Sequence, residues 1–159
     1  MKITIIGTGY VGLVTGTCFA EMGNHVSCVD IDKKKIDDLK QSILPIYEPG
    51  LENLVKVNMD RKTLQFSTQI KDALIDSSVT FIAVGTPQDK DGGAGLQHVI
   101  SAARDIGKYL KQDMIVGIKS TVPVGTAYKA RDVIQEELSS RDLDICVDII
   151  SNPEFLKEG

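Results

Sequence analysis

An apolar run, Ile3-Thr4-Ile5-Ile6, passes without a break into Gly7-Thr8-Gly9-Tyr10-Val11-Gly12. The run has the length and β-branched content of a buried strand. In a glycine pattern of this spacing, the first glycine permits a tight turn and the second lets backbone approach a pyrophosphate. The third lets the following helix lie close to the sheet. The start of that helix offers N–H groups and a positive dipole end to an anion. Glycine-rich turns are common, so the context decides. A helix is predicted over residues 10–22, with Val11, Val14, Cys18, Phe19 and Met22 on one stripe and Gly23 as its stop. A second apolar strand at residues 25–29 ends in Asp30. That acid lies roughly 18 residues past Gly12, near the spacing of about 20 at which a carboxylate meets an adenosine ribose. Strand, glycines, helix, strand and acid in this order predict a dinucleotide site.

Asp30 also bears on which dinucleotide. A carboxylate that accepts from the ribose hydroxyls favours NAD and repels the 2′-phosphate of NADP. Lys33, Lys34 and Lys35 follow at once. They read either as a phosphate-holding cluster or as the exposed first turns of a helix whose apolar residues are Ile36 and Leu39. The helical reading is adopted, and NAD is the expected cofactor.

Beyond residue 40 the pattern keeps alternating. A helix is expected at residues 51–57, with Pro49 suited to its start. Strands are expected at 64–67, 79–84, 114–118 and 144–150. Helices are expected from a Thr68 cap to Leu74, over 96–110, and on the stripe Ala127, Ala130, Ile134, Leu138. Residues 88–95 read as a polar, glycine-rich loop. Strands and helices that alternate in this way predict an α/β, Rossmann-type, doubly wound and mainly parallel sheet with helices on both faces. Ligands of such sheets sit beyond the carboxyl ends of the strands. Gly7 to Gly12, Asp30, Gly85-Thr86-Pro87, Ser120 to Pro123 and Asn152 to Glu158 should therefore meet at one crevice.

Bulk properties narrow the partners. At 159 residues the chain suits one domain, and 42% hydrophobic residues supply a core. A net charge of −4 argues against nucleic acid or an acidic membrane surface. No run reaches membrane-spanning length. The first strand is expected to start at once, and no signal peptide is expected. Cys18, Cys28 and Cys146 show no metal-site spacing and are expected as buried small hydrophobes in a reducing cytoplasm. No metal site is expected. The last residues, Asn152 to Gly159, read as the start of a loop and helix, so residues 1–159 are expected to be the N-terminal domain of a longer chain.

At the strand ends the residues alone leave choices open. Ser120 and Thr121 read as loop hydroxyls or as partners of neighbouring backbone. Glu154 and Glu158 share a helical face, as a solvated surface or as part of a site. The whole set of segments resembles the UDP-glucose/GDP-mannose dehydrogenase family. The matching segments are Gly7-Thr8-Gly9-Tyr10-Val11-Gly12-Leu13, Val29-Asp30, Pro45-Ile46-Tyr47-Glu48-Pro49-Gly50-Leu51, Val84-Gly85-Thr86-Pro87, Lys119-Ser120-Thr121-Val122-Pro123-Val124-Gly125 and Asn152-Pro153-Glu154-Phe155-Leu156-Lys157-Glu158-Gly159. The final Gly159 favours the UDP-glucose branch.

The resemblance implies a four-electron oxidation of a sugar C6 alcohol to a carboxylate, as in UDP-glucose to UDP-glucuronate. Two NAD are reduced, and a cysteine thioester forms on the way. It implies that Thr121 and Glu154 are catalytic and activate the attacking water, with Glu154 as base. Gly7, Gly9, Tyr10, Val11, Gly12, Asp30, Lys35, Thr86, Thr121 and Glu158 would bind the cofactor. Glu154, Phe155, Leu156, Lys157 and Glu158 would touch the UDP-sugar. Its nucleophilic cysteine would lie in a later domain, and the full protein would be a cytoplasmic homo-oligomer. One departure is Gly95, where the family usually has an acid, and it is expected to weaken the next helix's N-cap and loosen the loop. The rival readings are a GDP-mannose or UDP-N-acetylhexosamine dehydrogenase, a generic β-hydroxyacid dehydrogenase domain and a non-catalytic NAD-sensing module.

Overall fold

A computed structural model describes residues 1–88 and 93–153. β1 (Lys2–Ile6) leads through the glycine turn into α1 (Tyr10–Glu21), and β2 (His25–Val29) returns beside it. Then come α2 (Lys33–Lys40), α3 (Leu51–Asp60), β3 (Leu64–Ser67), the short α4 (Ile70–Ala73) and β4 (Val79–Ile82). α5 (Gln97–Tyr109), β5 (Met114–Ile118), α6 (Thr126–Ser140) and β6 (Val147–Ser151) complete the described chain. The strands form one sheet in the order β3-β2-β1-β4-β5-β6, with every pairing parallel. The order reverses between β1 and β4, which is where a doubly wound sheet opens its ligand crevice.

Alternation along the strands builds two cores. Ile3 and Ile5 of β1 face α1, α2 and α3, packing with Leu13, Ile36, Leu39 and Val55. Ile6 joins the opposite face, where Val99, Ile106, Val116, Ile134 and Leu138 pack. A sheet covered on both sides needs nearly continuous apolar strands, and β1 and β4 have them.

The strand and helix positions follow the expectations, with physical corrections. α1 buries the predicted stripe only in part: Val11, Val14 and Phe19 pack partly buried against the core, Cys18 and Met22 are exposed, and Gly12, Leu13, Gly16, Thr17 and Ala20 are its buried residues. Small residues face the sheet because α1 lies very close to it. A Cβ on Gly16 would come within 2.5 Å of Cys28 Sγ. Cys18 and Cys146 are exposed, so only Cys28 is the buried thiol that all three were expected to be. Burial pushes the Cys28 thiol up to about 12. Thr68 does not cap α4; the Ser67 hydroxyl instead accepts from the Gln69 N–H at 2.9 Å. β6 starts at Val147 rather than 144, and α3 runs on to Asp60.

Candidate functional site

The turn after β1 takes its shape from two glycines. Gly7 sits at φ +104°, and a Cβ there would lie 2.5 Å from the Ala83 carbonyl oxygen. A Cβ on Gly12 would collide with the Gly7 carbonyl oxygen. Gly9 differs from both: a Cβ there would meet no protein atom within 4 Å. Packing therefore requires Gly7 and Gly12, while Gly9 leaves open space at the start of α1. Gly9 is also the N-cap of α1, makes no side-chain cap bond, and no acid lies in the first turn. Such a helix start favours an anion.

Asp30 closes the other side of this turn. Its Oδ2 accepts from the Thr8 N–H at 2.9 Å, the Thr8 hydroxyl at 2.7 Å and Lys35 Nζ at 3.0 Å. Its Oδ1 accepts from the Asp32 N–H at 3.0 Å. Burial alone pushes this carboxyl upward. The bonds from Asp32, Thr8 and Lys35 outweigh that push and hold it below the ordinary carboxylate range, so it is an anion at neutral pH. A carboxylate has about four lone-pair positions, two on each oxygen. Oδ1 thus keeps acceptor capacity for a ribose hydroxyl.

Lys33 and Lys34 are exposed, but Lys35 turns inward to pair with Asp30, so the three lysines do not behave alike. Asp32, which the sequence reading passed over, caps α2 by accepting from the Lys35 N–H at 3.1 Å. Thr8 was also missed, because a hydroxyl inside a glycine motif gives no periodic signal. Glu48 entered only as part of a motif; its Oε2 accepts from the Tyr10 hydroxyl at 2.8 Å, which ties the segment before α3 to the head of α1.

Across the switch point the ends of β4 and β5 are knitted together. The Ser120 hydroxyl donates to the Val84 carbonyl at 2.7 Å, satisfying neighbouring backbone. The Thr86 hydroxyl donates to the Thr121 carbonyl at 3.0 Å. Beyond them, Lys119 Nζ donates to Asn152 Oδ1 at 3.1 Å, and the Asn152 N–H donates to the Ile118 carbonyl at 2.9 Å. The Gly95 N–H closes its turn on the Pro87 carbonyl at 2.8 Å, and α5 starts with Leu96 as its N-cap, without a side-chain cap. His98 in the first turn of α5 was assigned no role. Its Nδ1 lies 3.0 Å from the Gly85 carbonyl oxygen.

The predicted segments thus meet in one row, from Asp30 through Gly7 to Thr86, Thr121 and Asn152. Glu154, Phe155, Leu156, Lys157 and Glu158 lie outside the described residues. Among the described residues no cluster of His, Cys, Asp or Glu could hold a metal ion, and no helix is long and apolar enough to cross a membrane.

Sheet order, glycine turn and the acid at the end of β2 define a dinucleotide-binding domain of the Rossmann class. The residues fit NAD: space at Gly9, an uncapped helix start and an anionic Asp30. Residues 1–159 match the profile described as UDP-glucose/GDP-mannose dehydrogenase family, NAD binding domain, and the chain belongs to that family. It is 48% identical over its whole length to a UDP-glucose 6-dehydrogenase of Pseudomonas aeruginosa, and covers 35% of that protein. A UDP-glucose dehydrogenase structure from Pyrobaculum islandicum superposes with a TM-score of 0.91 at 35% identity, over 99% of this chain and 36% of that one. A GDP-mannose dehydrogenase structure from Pseudomonas aeruginosa gives 0.90 at 36% identity, over 99% and 37%. The chain spans about a third of the length of the curated relatives it matches.

Proposed function

We propose that this domain is the cofactor-binding part of an NAD-dependent UDP-glucose 6-dehydrogenase, which oxidises UDP-glucose to UDP-glucuronate with two NAD. The observation that carries the reading is the continuous row of strand ends from Asp30 to Thr121, in a chain about half identical to UDP-glucose 6-dehydrogenases. NAD, when bound, supplies the hydride acceptor. Gly7, Gly9, Tyr10, Val11 and Gly12 form the turn that receives its pyrophosphate. Asp30 accepts from the adenosine ribose, with Lys35 beside it. Thr86 and Thr121 line the nicotinamide half.

Thr121 and Glu154 hold the water that attacks C6, and Glu154 takes its proton. A base in that role needs a pKa matched to the working pH, which an enclosed site provides. By family resemblance, Glu158 is assigned to the nicotinamide end and Phe155, Leu156 and Lys157 to the UDP-sugar. We place the full-length protein in the cytoplasm, as a homo-oligomer.

The test is turnover by the full-length protein. UDP-glucose should yield UDP-glucuronate with two NADH per sugar, and NADP, GDP-mannose and UDP-N-acetylhexosamines should react far more slowly. Preference for GDP-mannose or an N-acetylated sugar overturns the substrate assignment. NAD binding without oxidation of any sugar nucleotide leaves only a cofactor-holding module.

A further inference from the structure

The segment at residues 84–87 carries Thr86 to the nicotinamide end, and its carbonyls are held from three directions. The Val84 carbonyl accepts from the Ser120 hydroxyl at 2.7 Å, on the end of β5. The Pro87 carbonyl accepts from the Gly95 N–H at 2.8 Å, on the turn before α5. The Gly85 carbonyl lies 3.0 Å from His98 Nδ1, on α5 itself. A carbonyl oxygen only accepts, so Nδ1 carries the hydrogen, which fixes the neutral ring as the Nδ1–H tautomer. Gly85 has no Cβ, and one placed there would meet no protein atom within 4 Å. Side-chain packing therefore does not locate this residue; its carbonyl bond does. The next residue, Thr86, donates to the Thr121 carbonyl at 3.0 Å. His98 is thus one residue removed from the contact that joins the two threonines.

We infer that His98 is a positioning residue for NAD-linked oxidation: its Nδ1–H clamps the Gly85 carbonyl and so sets the placement of Thr86 and Thr121 at the nicotinamide ring. This rests on the proposed reading of that end of the crevice. His98 touches neither reacting atom by this account. It acts through the backbone of residues 85–86, whose small displacement costs rate because hydride transfer needs aligned partners. The start of α5 is tied to the core, since Val99 in its first turn and Ala102 and Ala103 in its second are buried.

The test compares H98A and H98N with wild type in the full-length protein. The amide N–H of asparagine can replace Nδ1–H as donor, whereas alanine cannot. Loss of one such hydrogen bond predicts that H98A lowers kcat/KM for NAD about 3- to 10-fold. KM for UDP-glucose and the thermal midpoint should stay close to wild type, and H98N should recover most of the loss. An H98A enzyme with wild-type kinetics overturns the inference, and so does an H98N enzyme as impaired as H98A. The Kd for NAD, measured on the same three proteins, separates this from failure of the functional reading. If wild type binds NAD but oxidises no sugar nucleotide, the activity assignment falls. The clamp then stands or falls on whether H98A, rescued by H98N, weakens NAD binding.

Discussion

Asp30 shows how much one side chain can decide. It is a structural acceptor for Thr8, Asp32 and Lys35, and in the proposed function it also selects the unphosphorylated ribose. Its folded pKa lies below its unfolded value, so its contribution to stability is complete above the ordinary carboxylate range. That contribution is lost as pH falls through that range, near 4, toward the lower folded value. D30N should therefore be less stable than wild type above about pH 5, with the gap narrowing toward pH 3. Urea unfolding at stepped pH measures this, and a gap that stays constant down to pH 3 contradicts it. The acid was legible in the sequence because its distance from the glycines is set by one helix and one strand. Its partners were not. Thr8 and Lys35 reach it through side-chain geometry that no periodicity encodes. His98 was equally hidden, since a helix-surface histidine looks the same whether or not a carbonyl lies 3.0 Å away.

At the scale of the element, the β1–α1 turn separates two kinds of glycine. Gly12 is required by the fold, because a Cβ would strike the Gly7 carbonyl. Gly9 has extended backbone, at φ −70° and ψ −171°, and open space where a Cβ would point. G12A should therefore cost about 1–3 kcal/mol or more in stability, as overpacked sites do. G9A should leave the thermal midpoint nearly unchanged but weaken NAD binding about tenfold or more, the equivalent of roughly 1.4 kcal/mol of crowding at the ligand. Thermal melts and NAD titrations of the two variants check this. A G9A protein that melts early while binding NAD normally reverses the assignment. The helical stripe of α1 is only half met, for a related reason. Hydrophobicity points to Cys18 and Met22, but close approach to a sheet selects small residues such as Gly12, Gly16 and Ala20.

For the molecule as a whole, the alternation of strands and helices made the doubly wound sheet readable, because parallel strands require crossover helices. The meeting of distant loops followed from that topology rather than from any local signal. The same topology keeps the cysteines away from the ends of β4 and β5. Cys28 is buried within β2, Cys18 lies well along α1, and Cys146 precedes β6 at the opposite end of the sheet from Asn152. If the proposed function holds and the oxidation passes through a cysteine thioester, residues 1–159 by themselves should bind NAD yet form no UDP-glucuronate, since that step needs a thiol beside the nicotinamide. Product assays on that polypeptide test this, and any UDP-glucuronate above background refutes it. Strand order carries one more consequence. From the end of β2 to the end of β5 there are three steps across the sheet, each about 4.8 Å, or roughly 14 Å in all. On the proposed reading, the two halves of NAD lie to either side of the point where the strand order reverses, so the sheet itself assigns each half its own pair of strand ends.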